Sequence, residues 1–100
     1  MEKKEREIES QLNTPEAKDL YKILSSINKP EEMANFLRDL FTIAEIQESI
    51  RRFQVAKLLS QGYTFRSISA ETEMSTSTIA RINYWLHHGT GGYRKALQKV

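Results

Sequence analysis

Between Phe65 and Tyr84 the chain reads FRSISAETEMSTSTIARINY, where hydroxyl groups and apolar side chains recur at helical spacing. Ile68, Met74, Ile79 and Ile82 are spaced as the inward residues of two short helices that meet at a turn. Ser69 is small where the first helix must let the second come close. Ser75 follows the turn and can cap the second helix with its hydroxyl. Thr76, Ser77, Ala80, Arg81 and Tyr84 then point outward. Short polar side chains beside an arginine suit the major groove of duplex DNA, where the helix must approach base edges closely. Two residues depart from the usual pattern: Glu73 stands where a glycine normally makes the turn, and Thr72 stands where an apolar residue is commoner. Glutamate tolerates a positive φ poorly, so a slightly different turn is expected. The competing reading is a plain helical hairpin with a surface rich in serine and threonine.

Other chemistries find little support. Cysteine is absent, which excludes disulfides and thiolate metal sites. His87 and His88 are adjacent, so on a helix they point about 100° apart and do not converge on one ion. No metal site is expected. Gly89-Thr90-Gly91-Gly92 lacks the Gly-Lys-Ser/Thr ending of a phosphate loop, and no strand precedes it. More simply, Gly89 ends the second helix and a last short helix starts near Tyr93. Its Arg94 and Lys95, with Lys99, would either touch a DNA backbone or be solvated. No nucleophile, base and oxyanion donor assemble, so an enzyme is not expected.

Charge separates the two halves of the chain. Residues 1–50 carry 7 Lys/Arg against 11 Asp/Glu, and residues 51–100 carry 8 against 2. A basic half on an otherwise acidic chain suits a polyanion, although uneven surface charge alone gives the same count.

The elements that must position these residues read as helices throughout. Residues 1–12 lack apolar periodicity and are expected to form a flexible or weakly helical arm ahead of one domain over 13–100. Thr14-Pro15-Glu16 is a cap followed by proline at the first helical position, with Ala17, Leu20, Tyr21, Leu24 and Ile27 behind it. Pro30 restarts the chain, and Met33, Phe36, Leu37 and Leu40 mark a second helix. Thr42-Ile43-Ala44-Glu45 is a capping box that opens a long helix bearing Ile46, Ile50, Phe53, Ala56 and Leu59, with Gly62 as its stop. Ile23, Val55 and Leu58 lie off these stripes and widen them. Three such broad faces exceed what a short C-terminal half can cover. An interlocked dimer would bury the excess, and a symmetric DNA site calls for one; a tight monomeric bundle is the alternative.

From Thr42 to Leu86 the sequence resembles the core of the Trp repressor family. The shared features are the capped long helix, Leu59-Ser60-Gln61-Gly62 at its end, and Thr78-Ile79-Ala80-Arg81 in the second helix of the hairpin. The ending ARINYWLHHGTGGYRKAL is similar to the YerC/YecD branch of that family. The resemblance implies an all-α, intertwined helical dimer that binds operator-like DNA through a helix-turn-helix. It also places Arg66 at the front of the first reading helix, facing the DNA backbone. Thr42, Arg52 and Arg81 match positions that hold tryptophan in the family. Ile82 falls where that pocket has a glycine, and Trp85 where it has a serine; both add bulk, and Trp85 is expected to fill part of the space. Free tryptophan is therefore not expected as a ligand, while another small corepressor stays open. Arg81 keeps three roles at this point: DNA contact, pocket wall or intrahelical partner.

The expected protein is a sequence-specific regulator, a repressor in the family's sense, acting on double-stranded DNA as a homodimer. Neither a membrane span nor a secretory signal is expected, and a bacterial cytoplasmic or nucleoid location is. The rival is a helical protein-interaction module that does not bind DNA. RNA binding is disfavoured because stacking aromatics are sparse apart from Tyr84 and Tyr93.

Overall fold

All but the last helix begin where the sequence supplies a hydroxyl or a proline. A computed structural model describes residues 9–100, and among them are six α-helices, one 3-10 turn at Gln11–Asn13 and no strand. We label the helices α1 (Pro15–Ser26), α2 (Pro30–Leu40), α3 (Ile43–Ser60), α4 (Phe65–Thr72), α5 (Thr76–His88) and α6 (Gly92–Leu97). The arm expected at the N-terminus falls mostly on residues 1–8, outside the described residues. The chain divides into two compact units, Met1–Phe41 and Thr42–Val100.

In the first unit the Thr14 hydroxyl accepts from the Ala17 N–H at 3.1 Å, and Pro15 occupies the first helical position, where its missing N–H costs nothing. The Tyr21 phenol donates to the Leu12 carbonyl at 2.7 Å and ties the 3-10 turn to α1. At the far end, Ser25 and Ser26 donate back to the Tyr21 and Ile23 carbonyls. Such bonds compete with the helical ladder, and α1 stops there. Neither α1 nor α2 contains a buried residue. Tyr21, Ile23, Leu40 and Phe41 are exposed.

The second unit opens on the capping box. The Thr42 hydroxyl accepts from the Glu45 N–H at 3.1 Å, and the Glu45 carboxylate accepts from the Thr42 N–H at 2.8 Å. The two bonds satisfy two donors that a helix start otherwise leaves bare. The Thr42 backbone N–H, and then its hydroxyl, hold the Glu45 carboxyl below the usual glutamate range. α3 ends in a paired closure: the Gly62 N–H donates to Leu59 and the Tyr63 N–H to Leu58, with Gly62 at φ 87°. That left-handed angle is one glycine adopts freely.

Val55, Ala56, Ile68, Met74, Ile79 and Ile82 form the core, with Leu58, Leu59, Tyr93 and Leu97 packed against it. This corrects the expected stripe on α3. Val55, read as lying off the stripe, is fully buried at 0 %, whereas Ile50, read as part of it, is 61 % exposed. Core contacts of α3 come from the half of the helix after Phe53, so the face of that half decides which residues are sealed. Each of Val55, Ile68 and Ile79 is worth roughly 1.5–3 kcal/mol of burial.

Candidate nucleic-acid interface

α4 starts under a threonine, as α3 does. The Thr64 hydroxyl accepts from the Ser67 N–H at 3.1 Å, and the Ser67 hydroxyl returns a bond to the Thr64 carbonyl at 3.0 Å. The cap leaves Arg66 exposed in the first turn of α4.

The turn between α4 and α5 is built by the residues that looked atypical. Glu73 adopts the left-handed conformation, φ 62° and ψ 11°, and donates its N–H to the Ser69 carbonyl at 3.0 Å. A side chain at this angle costs on the order of 1 kcal/mol, which the surrounding bonds offset. Thr72 is buried. Its hydroxyl donates to the Ile68 carbonyl at 2.7 Å and accepts from the Met74 N–H at 3.3 Å. An apolar residue there would leave the Met74 N–H without that partner. The Ser69 hydroxyl donates to the Met74 carbonyl at 2.7 Å, across the close approach that its small size permits. The turn thus keeps the geometry glycine usually supplies, and the expectation of a slightly different one is not met at Glu73.

α5 is capped by Ser75, whose hydroxyl accepts from the Thr78 N–H at 3.2 Å and also engages the Thr78 and Ser77 hydroxyls. Ile79, Ile82 and Leu86 are buried on one side of α5. Thr76, Ser77, Ala80, Arg81 and Tyr84 are exposed, as is the capping Ser75. The face contains no carboxylate, because α5 has no acidic residue. Its one guanidinium, on Arg81, forms no ion pair among the described residues.

Beside this face lies a cavity of about 340 Å³ lined by Glu48, Arg52, Thr78, Arg81, Ile82, Trp85 and Tyr93. Glu48 reaches Arg52 at 3.3 Å and Arg51 at 3.8 Å, so Arg52 meets the cavity already paired with a carboxylate.

The family model described as Trp repressor protein matches residues 15–100. The chain belongs to the Trp repressor family. It is 38% identical over 89 residues to YerC of Bacillus subtilis strain 168, an uncharacterized protein, covering 89% of this chain and 86% of that one. Among solved structures, a TrpR-like protein from Eubacterium eligens superposes with a TM-score of 0.85 at 33% identity, covering 90% of this chain and 93% of that chain. A second crystal structure, of a Staphylococcus aureus chain, gives a TM-score of 0.84 at 34% identity and covers 90% of each.

Of the positions matched to the Trp repressor pocket, Arg52, Arg81, Ile82 and Trp85 do converge on one cavity. Thr42 does not line it; its hydroxyl is committed to the α3 cap. Trp85 forms a wall and is 52 % exposed, so it narrows the space without plugging it. Three lining residues went unnoticed in the sequence. Glu48 could have been found from its i,i+4 spacing to Arg52, and Thr78 from its neighbours, but nothing local points Tyr93 there. Arg94 takes a further role that its sequence position did not suggest. Its guanidinium donates to the Leu86 and His87 carbonyls, both at 3.1 Å, and so closes the C-terminus of α5. Arg94 is exposed, as expected of a solvated residue, but two of its guanidinium nitrogens are committed to helix carbonyls rather than to phosphate. Among the described residues no three metal-ligating side chains gather, and no helix is long and apolar enough to cross a membrane.

Proposed function

We propose that this Trp-repressor-family protein is a transcriptional regulator that binds double-stranded DNA sequence-specifically as a homodimer, acting by binding rather than catalysis. The observation that carries the reading is the two-sided character of α5. Ile79, Ile82 and Leu86 lock one side into the core, while the side bearing Thr76, Ser77, Ala80 and Arg81 is exposed and free of carboxylates. Such a helix, rigidly held and open on one face, is what a major groove accepts. In this reading Thr76, Ser77, Ala80, Arg81 and Tyr84 face the groove, Arg66 holds a phosphate, and Ser75 sets the helix start. With short side chains at the bases, part of the specificity would come through water and DNA shape.

A second copy is invoked because apolar side chains on α1, α2 and the start of α3 stay uncovered. Ile43 and Ile50, seven residues apart on one face of α3, are both exposed. Two reading helices set about 34 Å apart would match half-sites one DNA turn apart. Repression rather than activation follows from family likeness alone.

Free tryptophan is not the signal in this reading. Ile82 and Trp85 stand in the wall of the cavity and add bulk there, and Arg52 on the same wall is already paired with Glu48. Saturable heat on titrating L-tryptophan into the protein would overturn this part.

The test of the main reading is selection of bound fragments from random duplex DNA. A symmetric site should emerge, Thr76→Ala should weaken or relax it, and Arg66→Ala should weaken binding to all sequences alike. Affinity should fall linearly with salt on logarithmic axes as counterions are released. If no sequence is enriched and both variants bind as the wild type does, the reading fails.

A further inference from the structure

We infer that Tyr84 anchors α5 to the sugar–phosphate backbone at the edge of the groove, its ring held in place by Trp85 and His88. The inference rests on the DNA-binding reading above and assigns the residue its task within it. Tyr84 is 56 % exposed, yet two aromatic rings border its own. Trp85 meets it edge-on, with ring centroids 5.4 Å apart and planes at 84°. His88, one turn further along, lies 5.0 Å away with planes at 41°. Both separations fall within the range where aromatic pairs attract. An isolated surface tyrosine wanders among rotamers and must be ordered when it binds. One flanked in this way is ordered beforehand, and less affinity is lost on contact.

Position along the helix selects the atoms it meets. Tyr84 follows Thr76 by eight residues, about 12 Å at the rise of an α-helix. The major groove is itself about 12 Å wide, so a helix whose first turns reach base edges carries Tyr84 out to the groove's rim. Phosphate oxygens and deoxyribose rings line that rim. A phenol O–H can donate to a phosphate oxygen, and the ring can pack on the sugar. Arg81, nearly one turn earlier, draws the same backbone, and α5 holds no carboxylate to repel it. Trp85 and His88 are positioning residues: they act through the tyrosine rather than on DNA.

The full-length protein and a selected duplex provide the test. Tyr84→Phe keeps both ring contacts and removes only the hydroxyl, so it should fold normally and bind about tenfold more weakly. Its salt dependence should match the wild type's, because no cation is lost, whereas Arg81→Ala should flatten that slope by about one counterion. His88→Ala leaves the hydroxyl but frees the ring, and should weaken binding roughly threefold. Replacing the contacted phosphate with a neutral methylphosphonate should weaken the wild type and leave Tyr84→Phe unaffected. Trp85, the chain's single tryptophan, reports the contact directly. Its emission should shift on DNA addition in the wild type and far less in Tyr84→Phe. If both variants bind as the wild type does, or if Tyr84→Phe is as sensitive to the methylphosphonate as the wild type, the anchor is refuted while DNA binding stands. If the wild type itself binds no duplex, the reading beneath it falls, and the anchor falls with it.

Discussion

The helix pair α1–α2 and the four helices from α3 to α6 carry similar apolar stripes, yet only the second set closes a core. In residues 42–100 three helices meet around Val55, Ala56, Ile68 and Ile79, all fully buried, and α6 adds Tyr93 and Leu97 at the edge. In residues 15–40 the same kinds of side chain stay half-buried or exposed, and no residue is sealed from water. The difference is one of layers. Among the described residues α1 packs on the 3-10 turn and not face to face with α2, so no further layer closes over either helix. Around α4 and α5 the second unit therefore presents a closed surface, on which polar and charged groups can be placed for recognition, while Ile43 and Ile50 at the start of α3 remain exposed. Apolar surface on the first is left for something else to cover, and in the proposed dimer a second copy does so.

The sharpest test of this contrast is truncation of one buried and one exposed isoleucine. Ile79→Ala should cost about 2–5 kcal/mol in denaturant unfolding. Ile23→Ala, measured on dilute monomer, should cost less than about 0.5 kcal/mol. Equal losses would mean that the first unit is sealed after all. Next in size is the turn. Thr72→Val removes the acceptor for the Met74 N–H and the donor to Ile68 while keeping the volume, and should lose about 1–2 kcal/mol by the same assay. A neutral result would make the hydroxyl incidental.

If a second copy covers the first unit, stability must depend on protein concentration. Each tenfold dilution should then lower apparent stability by about 1.4 kcal/mol, and Phe36→Glu in α2 should sediment as a monomer with its helicity largely retained. A midpoint independent of concentration would break the contrast from the other side. A smaller effect, of opposite sign, is expected at the left-handed turn. Glu73→Gly should stabilise the second unit by roughly 0.5–1 kcal/mol, since glycine adopts φ 62° without strain. The smallest effect is at the α3 cap. The Glu45 carboxyl is held low in the folded chain, so its contribution is complete above the ordinary glutamate range. It is lost as pH falls through the lowered value, below about 4.3. Helicity followed by circular dichroism should show this acid loosening in the wild type and a flatter profile in Glu45→Gln.

What could be read directly from sequence was local. Thr14, Thr42 with Glu45, and Ser75 cap helices through partners three residues away, so composition and spacing suffice to find them. The inward comb of Ile68, Met74, Ile79 and Ile82 was equally legible, because two short helices packing at a turn fix their own inner faces. Thr72 and Glu73 were recognised as departures, but their compensation was not. The Thr72 hydroxyl bridges to Ile68 and Met74, which requires the folded turn to exist first. Arg94 illustrates the opposite limit. As a letter in a basic tail it resembled a phosphate ligand, and only the path of Gly89 to Gly91 brings its guanidinium back onto the end of α5.

The helix-turn-helix between Phe65 and Tyr84 was thus determined by sequence alone in its existence, its inner face and its capping. Those depend on contacts within a few residues, and periodicity encodes such contacts completely. Tertiary structure decided which face of α3 receives it, that Val55 rather than Ile50 is sealed, and that Glu48 and Tyr93 join Arg52 and Trp85 around one cavity. These depend on the angle at which distant helices meet, a quantity set by the packing of the whole unit rather than by any one segment.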